Sequence, residues 1–259
     1  MNQGKLLLET HALSVGAGER TLIESLDLQV RGGELWCVMG PNGSGKTTLL
    51  HTLAGLRPPR GGSVVLKGRP LAQWSPGELA RLRGLLPQTL HDAFSAPAID
   101  VVLLGRHPHL GRWAWENAAD RRAAQTALQA MDLQALAGHD VTTLSGGERQ
   151  RVGIAALLVQ DPPLLLLDEP VAHLDLHHQV TVLAHLRRLT RERGRAVLMS
   201  IHDLNLAARF ATHALVLGPG TMLRQGPAES TMNEVVLSAA FGHPVASERF
   251  GTRTVFVAD

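Results

Sequence analysis

The chain has no tyrosine, a single cysteine (Cys37), three lysines, and only four Trp and five Phe among its 259 residues. Each shortage excludes something. One cysteine rules out an intrachain disulfide and accords with a reducing compartment. So few aromatics leave little to stack on bases, and a formal charge of +2 is too mild for a nucleic-acid footprint. No stretch approaches the roughly 20 apolar residues that cross a bilayer. The opening MNQGKLLLETHALS holds too short an apolar run for a secretion signal. What is present, a 44% hydrophobic share with 26 glycines, predicts a soluble, cytosolic, compact protein with a sizeable core.

The chain holds no repeat, low-complexity tract or obvious linker, so its organisation comes from local pattern. Leu35-Trp36-Cys37-Val38-Met39 is a short apolar run ending in glycine and predicts a buried strand. Lys46 to Ala54 predicts a helix closed by Gly55. Ser63–Leu66 and Leu85–Leu86 predict further strands. Between them, Ser75-Pro76-Gly77-Glu78 has the spacing of a capping box with proline at the first helical position. Leu164–Leu167 and Ala196–Ile201 are two more apolar runs. Such strands separated by helices imply a parallel sheet covered on both faces. From about Pro97 to Gln160 the pattern is helical, with Ala118–Met131 rich in Ala, Leu, Gln and Arg, which predicts a helical lobe inserted into an α/β core. Thr231-Met232-Asn233-Glu234 predicts a second capping box, opening a short helix that closes at Gly242. Arg253–Val257 predicts an edge strand.

Gly40-Pro41-Asn42-Gly43-Ser44-Gly45-Lys46-Thr47 fits G-x-x-x-x-G-K-[ST] between a predicted strand and a predicted helix, the context this motif requires. Its glycines let successive N–H groups face a phosphate, and the helix N-terminus adds partial positive charge. Lys46 is expected to reach the β- and γ-phosphates, the Thr47 hydroxyl to ligate Mg²⁺, and Thr48 to contact the α-phosphate. A chance glycine-rich turn is the competing explanation. Spending one of three lysines here weakens it.

Asp168 and Glu169 follow the run Leu164–Leu167, at the strand edge where α/β sheets bind ligands. Asp168 suits the Mg²⁺ shell of a P-loop NTPase, and Glu169 is placed to orient or deprotonate an attacking water. Alone, the pair also fits polar residues that merely close a core strand.

Leu144-Ser145-Gly146-Gly147-Glu148-Arg149-Gln150-Arg151 offers a second phosphate-binding helix terminus. One nucleotide does not need two such caps from one sheet, so Ser145, Gly146 and Gly147 are expected to serve the nucleotide of a second copy. These residues resemble the ATP-binding subunit of ABC transporters, over nearly the whole chain. The resemblance implies a P-loop NTPase (RecA-like) fold: a mostly parallel α/β sheet core with an antiparallel N-terminal β portion and an inserted helical subdomain. The single ABC ATPase domain would have its core at about 1–92 and 161–259 and the helical subdomain at about 93–160. It also implies ATP and Mg²⁺ as cofactors. Gln88 matches the loop that ligates Mg²⁺ and senses the membrane subunit, Asp175 the loop at the dimer seam, and His202 the histidine that contacts the γ-phosphate. Gly40 through Thr48, Gln88, Ser145, Gly146, Gly147 and Asp175 then form the nucleotide site. Thr47, Gln88 and Asp168 hold the metal, and Glu169, His202 and Lys46 act catalytically. Glu148, in place of the family's common Gln, is a frequent variation. Two departures matter more: Val15 occupies the place of a base-stacking aromatic, which would leave adenine on an aliphatic surface with weak selectivity for ATP over GTP, and His173 stands where a small residue is usual.

Within the family, Leu104-Gly105-Arg106-His107-Pro108-His109-Leu110-Gly111 and Asp175-Leu176-His177-His178-Gln179 resemble importers of iron–siderophore complexes, haem and vitamin B12. That implies a homodimer with transmembrane permease subunits and a substrate-binding protein, on the cytoplasmic face of a bacterial inner membrane, with no nucleic-acid partner. An added regulatory domain after the core, as several other importers carry, is not expected. A soluble ABC ATPase acting on nucleic acid or ribosomes, the ATPase of an exporter, and a P-loop kinase are the alternatives. Of the 13 histidines, none falls in a recognised metal motif, so solvent-facing or partner-contacting roles are expected for them.

Overall fold

The computed structural model describes residues 4–90, 95–111, 115–219, 221–251 and 253–258. The chain opens with strands β1 (Leu6–Ala17), β2 (Arg20–Leu26) and β3 (Gln29–Arg31), then β4 (Leu35–Met39) and helix α1 (Lys46–Leu53). Next come β5 (Gly61–Leu66), β6 (Arg69–Pro70), α2 (Pro76–Leu82) and β7 (Arg83–Leu86). The middle holds α3 (Ala98–Leu103), α4 (Ala118–Ala130) and α5 (Gly146–Gln160). Then follow β8 (Leu164–Leu167), α6 (Leu176–Arg193), β9 (Ala196–Ser200), α7 (Leu204–Phe210), β10 (His213–Gly218), β11 (Thr221–Pro227), α8 (Ala228–Thr231), α9 (Glu234–Phe241), β12 (Val245–Phe250) and β13 (Arg253–Ala258).

The central sheet runs β11-β10-β4-β9-β8-β7. Its strands from β10 to β7 are parallel, and β11 adds an antiparallel edge. The expected parallel core is therefore present. Alternation along each central strand feeds two separate cores. Leu35, Cys37 and Met39 of β4 face the helices α3 to α6, with Leu165, Leu167, Val197 and Met199. Trp36 and Val38 face the other way, with Leu164, Leu166, Leu198 and the α1 residues Leu49, Leu50 and Leu53. That second core is roofed by an antiparallel sheet, β2-β1-β5-β6 with β3 beside β1, which is the expected N-terminal β portion. The Ser63–Leu66 run lies here, in β5, and not in the parallel sheet.

Between β7 and β8 the described residues contribute no strand to either sheet, only helices and 3₁₀ turns. Gln88 to Pro97 enters this helical stretch, and residues 91–94 of that connection lie outside the described ones. No helix among the described residues is long and apolar enough to cross a membrane.

One local expectation needs correction. Asn233, not Thr231, caps α9: its Oδ1 accepts the Val236 N–H at 3.0 Å. Thr231 is buried as the last residue of α8, so its hydroxyl cannot reach the α9 start. The helix does close at Gly242, at φ +66. Arg253–Val257 does form a strand, within β13, and among the described residues it pairs with β12 in a separate two-stranded ribbon. Asn205 of α7 ties that ribbon down, accepting the Phe256 N–H at 2.8 Å and donating to its carbonyl at 3.1 Å.

Candidate functional site

The parallel strands end together at one edge of the sheet, where Gln88 follows β7, Asp168 and Glu169 follow β8, and Ser200 and His202 close β9. Beyond β4, Gly40, Gly43 and Gly45 adopt φ of +148, +78 and +102, conformations that a side chain would strain. A Cβ at Gly40 would also stand 2.5 Å from the Leu217 carbonyl oxygen, so glycine is required there. The loop thus wraps from β4 into α1 as the motif predicts. Lys46 is buried beneath it and donates from Nζ to the Gly40 and Pro41 carbonyls at 2.9 and 3.1 Å. Burial holds its ammonium below the usual lysine value, against the opposing charges of Glu169 and Asp168. Thr47 is exposed at the first turn of α1, and the buried Ser44 Oγ has no hydrogen-bond partner.

At the ends of β7, β8 and β9 three predicted residues converge. Gln88 donates from Nε2 to Glu169 Oε2 at 3.1 Å, and His202 Nε2 bonds Glu169 Oε1 at 2.6 Å. Asp168 is fully buried; its Oδ1 accepts the Ser200 hydroxyl at 2.6 Å, while its Oδ2 has no partner. Ser200 carries no motif, yet it organises the pair, because its Oγ also accepts the Glu169 N–H at 2.8 Å. Its signal was the one polar residue closing the run Ala196–Met199, level with Asp168 across the sheet. Glu169 takes a left-handed backbone at φ +49, a strain that such a side chain tolerates only where surroundings impose it. A cleft of about 260 Å³ opens between Glu169, His202 and Gln179.

The remaining predicted residues stand apart from this cluster. Ser145 caps α5 by accepting the Glu148 N–H at 3.3 Å, and Glu148 Oε2 accepts the Ser145 N–H and hydroxyl at 2.8 and 2.7 Å. Those bonds hold the Glu148 carboxyl below its ordinary value. The Glu found in place of Gln thus completes a capping box. A Cβ on Gly147 would lie 3.0 Å from the His173 carbonyl oxygen, so the segment before Asp175 abuts the Ser145-Gly146-Gly147 turn within one chain. Asp175 caps α6, accepting the His178 N–H at 2.9 Å. Val15 does not offer a surface to a base: it is 1% exposed and packs in the core beneath the β1–β2 hairpin. Exposure in this hairpin begins beyond Val15, from Ala17 to Arg20.

A family model described as ABC transporter matches residues 23–172. This chain belongs to the ABC transporter family. It is 43% identical to the hemin import ATP-binding protein of Myxococcus xanthus, over 91% of this chain and 90% of that one. It is 38% identical to the iron(3+)-hydroxamate import ATP-binding protein of Bacillus subtilis, over 90% of this chain and 87% of the relative. The ferric enterobactin transport ATP-binding protein of Escherichia coli is 36% identical, with 93% and 89% covered. Among solved structures, a metal-chelate type ABC transporter in an inward-facing conformation superposes at a TM-score of 0.85, with 28% identity over 98% of this chain and 97% of that one. A dimeric ATP-binding cassette in a post-hydrolysis state with ADP and Pi superposes at 0.76, with 28% identity over 86% and 99%. The fold of this ABC family chain is accordingly that of a P-loop ATPase cassette, and ATP is its nucleotide.

Proposed function

We propose that this ABC ATPase drives the import of an iron chelate, a siderophore complex or haem, through a membrane permease. Two copies close around two ATP molecules, and hydrolysis resets them. The observation that carries this is the convergence of Gln88, Glu169 and His202 on the strand edge that also bears the Lys46 loop. The relatives described above are named for hemin, iron(3+)-hydroxamate and ferric enterobactin, and cobalamin is not among those cargoes.

The N–H groups of the Gly40–Lys46 loop, Pro41 having none, face the phosphates, and Thr48 contacts the α-phosphate. Lys46 exchanges its two carbonyl partners for β- and γ-phosphate oxygens. Glu169 accepts a proton from the attacking water, and His202 holds the γ-phosphate while bonded to that carboxylate. The Ser145-Gly146-Gly147 terminus of the second copy covers the γ-phosphate, with Asp175 at the seam. The residues suit Mg²⁺: the Asp168 Oδ2 left without a partner is a buried carboxylate oxygen that a cation would satisfy. Thr47 and Gln88 add the hard oxygen donors this ion prefers. When bound, it neutralises charge building on the phosphates.

The chain works as a core of about 1–92 and 161–259 and a helical lobe of about 93–160. An apolar groove of about 420 Å³ between them, lined by Leu85, Leu90, Val101, Leu104, Val152 and Ala156, supports docking of the permease there. Leu104 is 58% exposed at its rim. The working place is the cytoplasmic face of the inner membrane. Detergent extraction of the native chain tests this: a multi-span membrane protein should co-purify, and an iron chelate should stimulate ATPase activity of the reconstituted complex. Recovery of ribosomes or nucleic acid instead would overturn the assignment.

A further inference from the structure

The turn that ends α4 and the first turn of α6 bring together three ligand-bearing side chains unconnected with the nucleotide loop. One ring nitrogen each of His177 and His178 and a carboxylate oxygen of Asp132 lie within 4.8 Å of one another. His177 Nε2 stands 4.0 Å from Asp132 Oδ2. Donor atoms bound to one tetrahedral ion at ordinary Zn–N and Zn–O lengths stand about 3.4 Å apart. The side chains therefore need to close by about 0.6 Å for this pair and by no more than about 1.4 Å for any pair. Both are exposed, at 76% and 52%, and their rotamers are free to do so.

Two further features make this more than a chance meeting of surface groups. Asp175 presents both carboxylate oxygens at 2.9 Å to Nδ1 of His178, which fixes that nitrogen as the donor and leaves the Nε2 lone pair for a ligand. A carboxylate behind a metal-binding imidazole does the same, setting its tautomer and raising its basicity. On the other side, the buried Arg151 of α5 donates to the Met131 carbonyl at 2.7 Å and the Asp132 carbonyl at 3.4 Å. The backbone of Asp132 is thus anchored, in a left-handed turn at φ +54, while its carboxylate stays outside.

We infer that Asp132, His177 and His178 form a site for a first-row divalent transition cation, Zn²⁺ foremost, with Asp175 positioning His178. Two imidazoles and one carboxylate leave a fourth position for water. Imidazole donors select such an ion over Mg²⁺ and Ca²⁺, which take oxygen, so the site does not compete for the ion of the nucleotide site. A bound ion ties the end of α4, in the helical stretch, to the start of α6, next to the Leu174-Asp175 segment. The site stands on these residues alone and does not depend on the transport assignment.

Titration calorimetry on the untagged, chelator-stripped full chain, with Mg²⁺ in excess and Zn²⁺ as the probe, tests it. Zn²⁺ should bind at one site per chain that His177→Ala and Asp132→Asn each weaken tenfold or more. At a hundredfold excess over the wild-type Kd, Zn²⁺ should raise the Tm of the wild type by about 5 °C and that of His177→Ala by no more than about half as much. Co²⁺ in place of Zn²⁺ should give the visible absorption of a four-coordinate ion, absent in the variant. Both variants change exposed side chains, so far-ultraviolet circular dichroism should match the wild type. Zn²⁺ binding with the same affinity in His177→Ala, or no Zn²⁺ binding by the wild type, would overturn the inference.

Discussion

Glu169 holds an unfavourable backbone angle, and three polar contacts from two other chain segments keep it there: Gln88 after β7, and Ser200 and His202 at the end of β9. Ser200 is the member without a motif, and its removal would leave the buried Asp168 carboxylate with no hydrogen bond at either oxygen. Ser200→Ala should therefore cost about 2 kcal/mol, read as a Tm lowered by about 4–8 °C in thermal unfolding. Addition of Mg²⁺ with ATP should restore part of that loss, since the orphaned carboxylate then gains a partner. Lys46→Ala removes a charged donor and should weaken ATP binding by about tenfold to a hundredfold in calorimetry. At this scale the motif residues were legible, because loop curvature and strand-edge carboxylates demand particular residue types at fixed spacing. Ser200 and Val15 were not. The first acts through its neighbours, and the second lies on a strand whose inward face is set by a register shift near Val15.

Elements were legible where they run through the middle of the parallel sheet. β4, β8 and β9 are buried on both faces, so their sequences are continuous apolar runs. β1 mixes His11 and Glu9 with buried leucines, has one solvated side and carries register shifts in every pairing, which erases a clean alternation. The run Ala214–Leu217 of β10 carries the same signal as β9. Capping was legible at Ser75, where side chain and backbone close a full box with Glu78. At α9 two candidate caps lay two residues apart, and only tertiary packing decides between them. Asn233→Ala should lower stability by about 1 kcal/mol. Thr231→Val should be neutral or stabilising in the same melting assay, because the buried Thr231 Oγ1 has no partner to lose. The segment Leu104–His109 forms a 3₁₀ turn that holds the helical stretch together. Arg106 donates to Asp120 at 2.8 Å, and His109 bonds the Gln160 carbonyl at 2.8 Å. These residues stitch helices, whatever the partner they also meet.

Across the whole molecule, one six-stranded sheet separates two cores and delivers the ends of its five parallel strands to one edge. Cys37 sits in the middle of that sheet, fully buried, and burial pushes its thiol far above the ordinary range. Its reaction with a thiol reagent should follow global unfolding, rising with denaturant along the same curve as circular dichroism; fast labelling in native buffer would show that the sheet opens locally. The Ser145 helix terminus closes its own capping box with Glu148 and stands apart from the Glu169 cluster. In the function proposed above, a second copy brings this terminus to the nucleotide. The decisive measurement is sedimentation of Glu169→Gln with ATP and Mg²⁺, alongside its turnover. The chain of 27.8 kDa should sediment at twice its mass with ATP retained, and as a monomer with ADP. Hydrolysis should fall by about a hundredfold or more. Turnover like that of the wild type, or a monomer in saturating ATP, would contradict Glu169 as the base of a site shared between two copies.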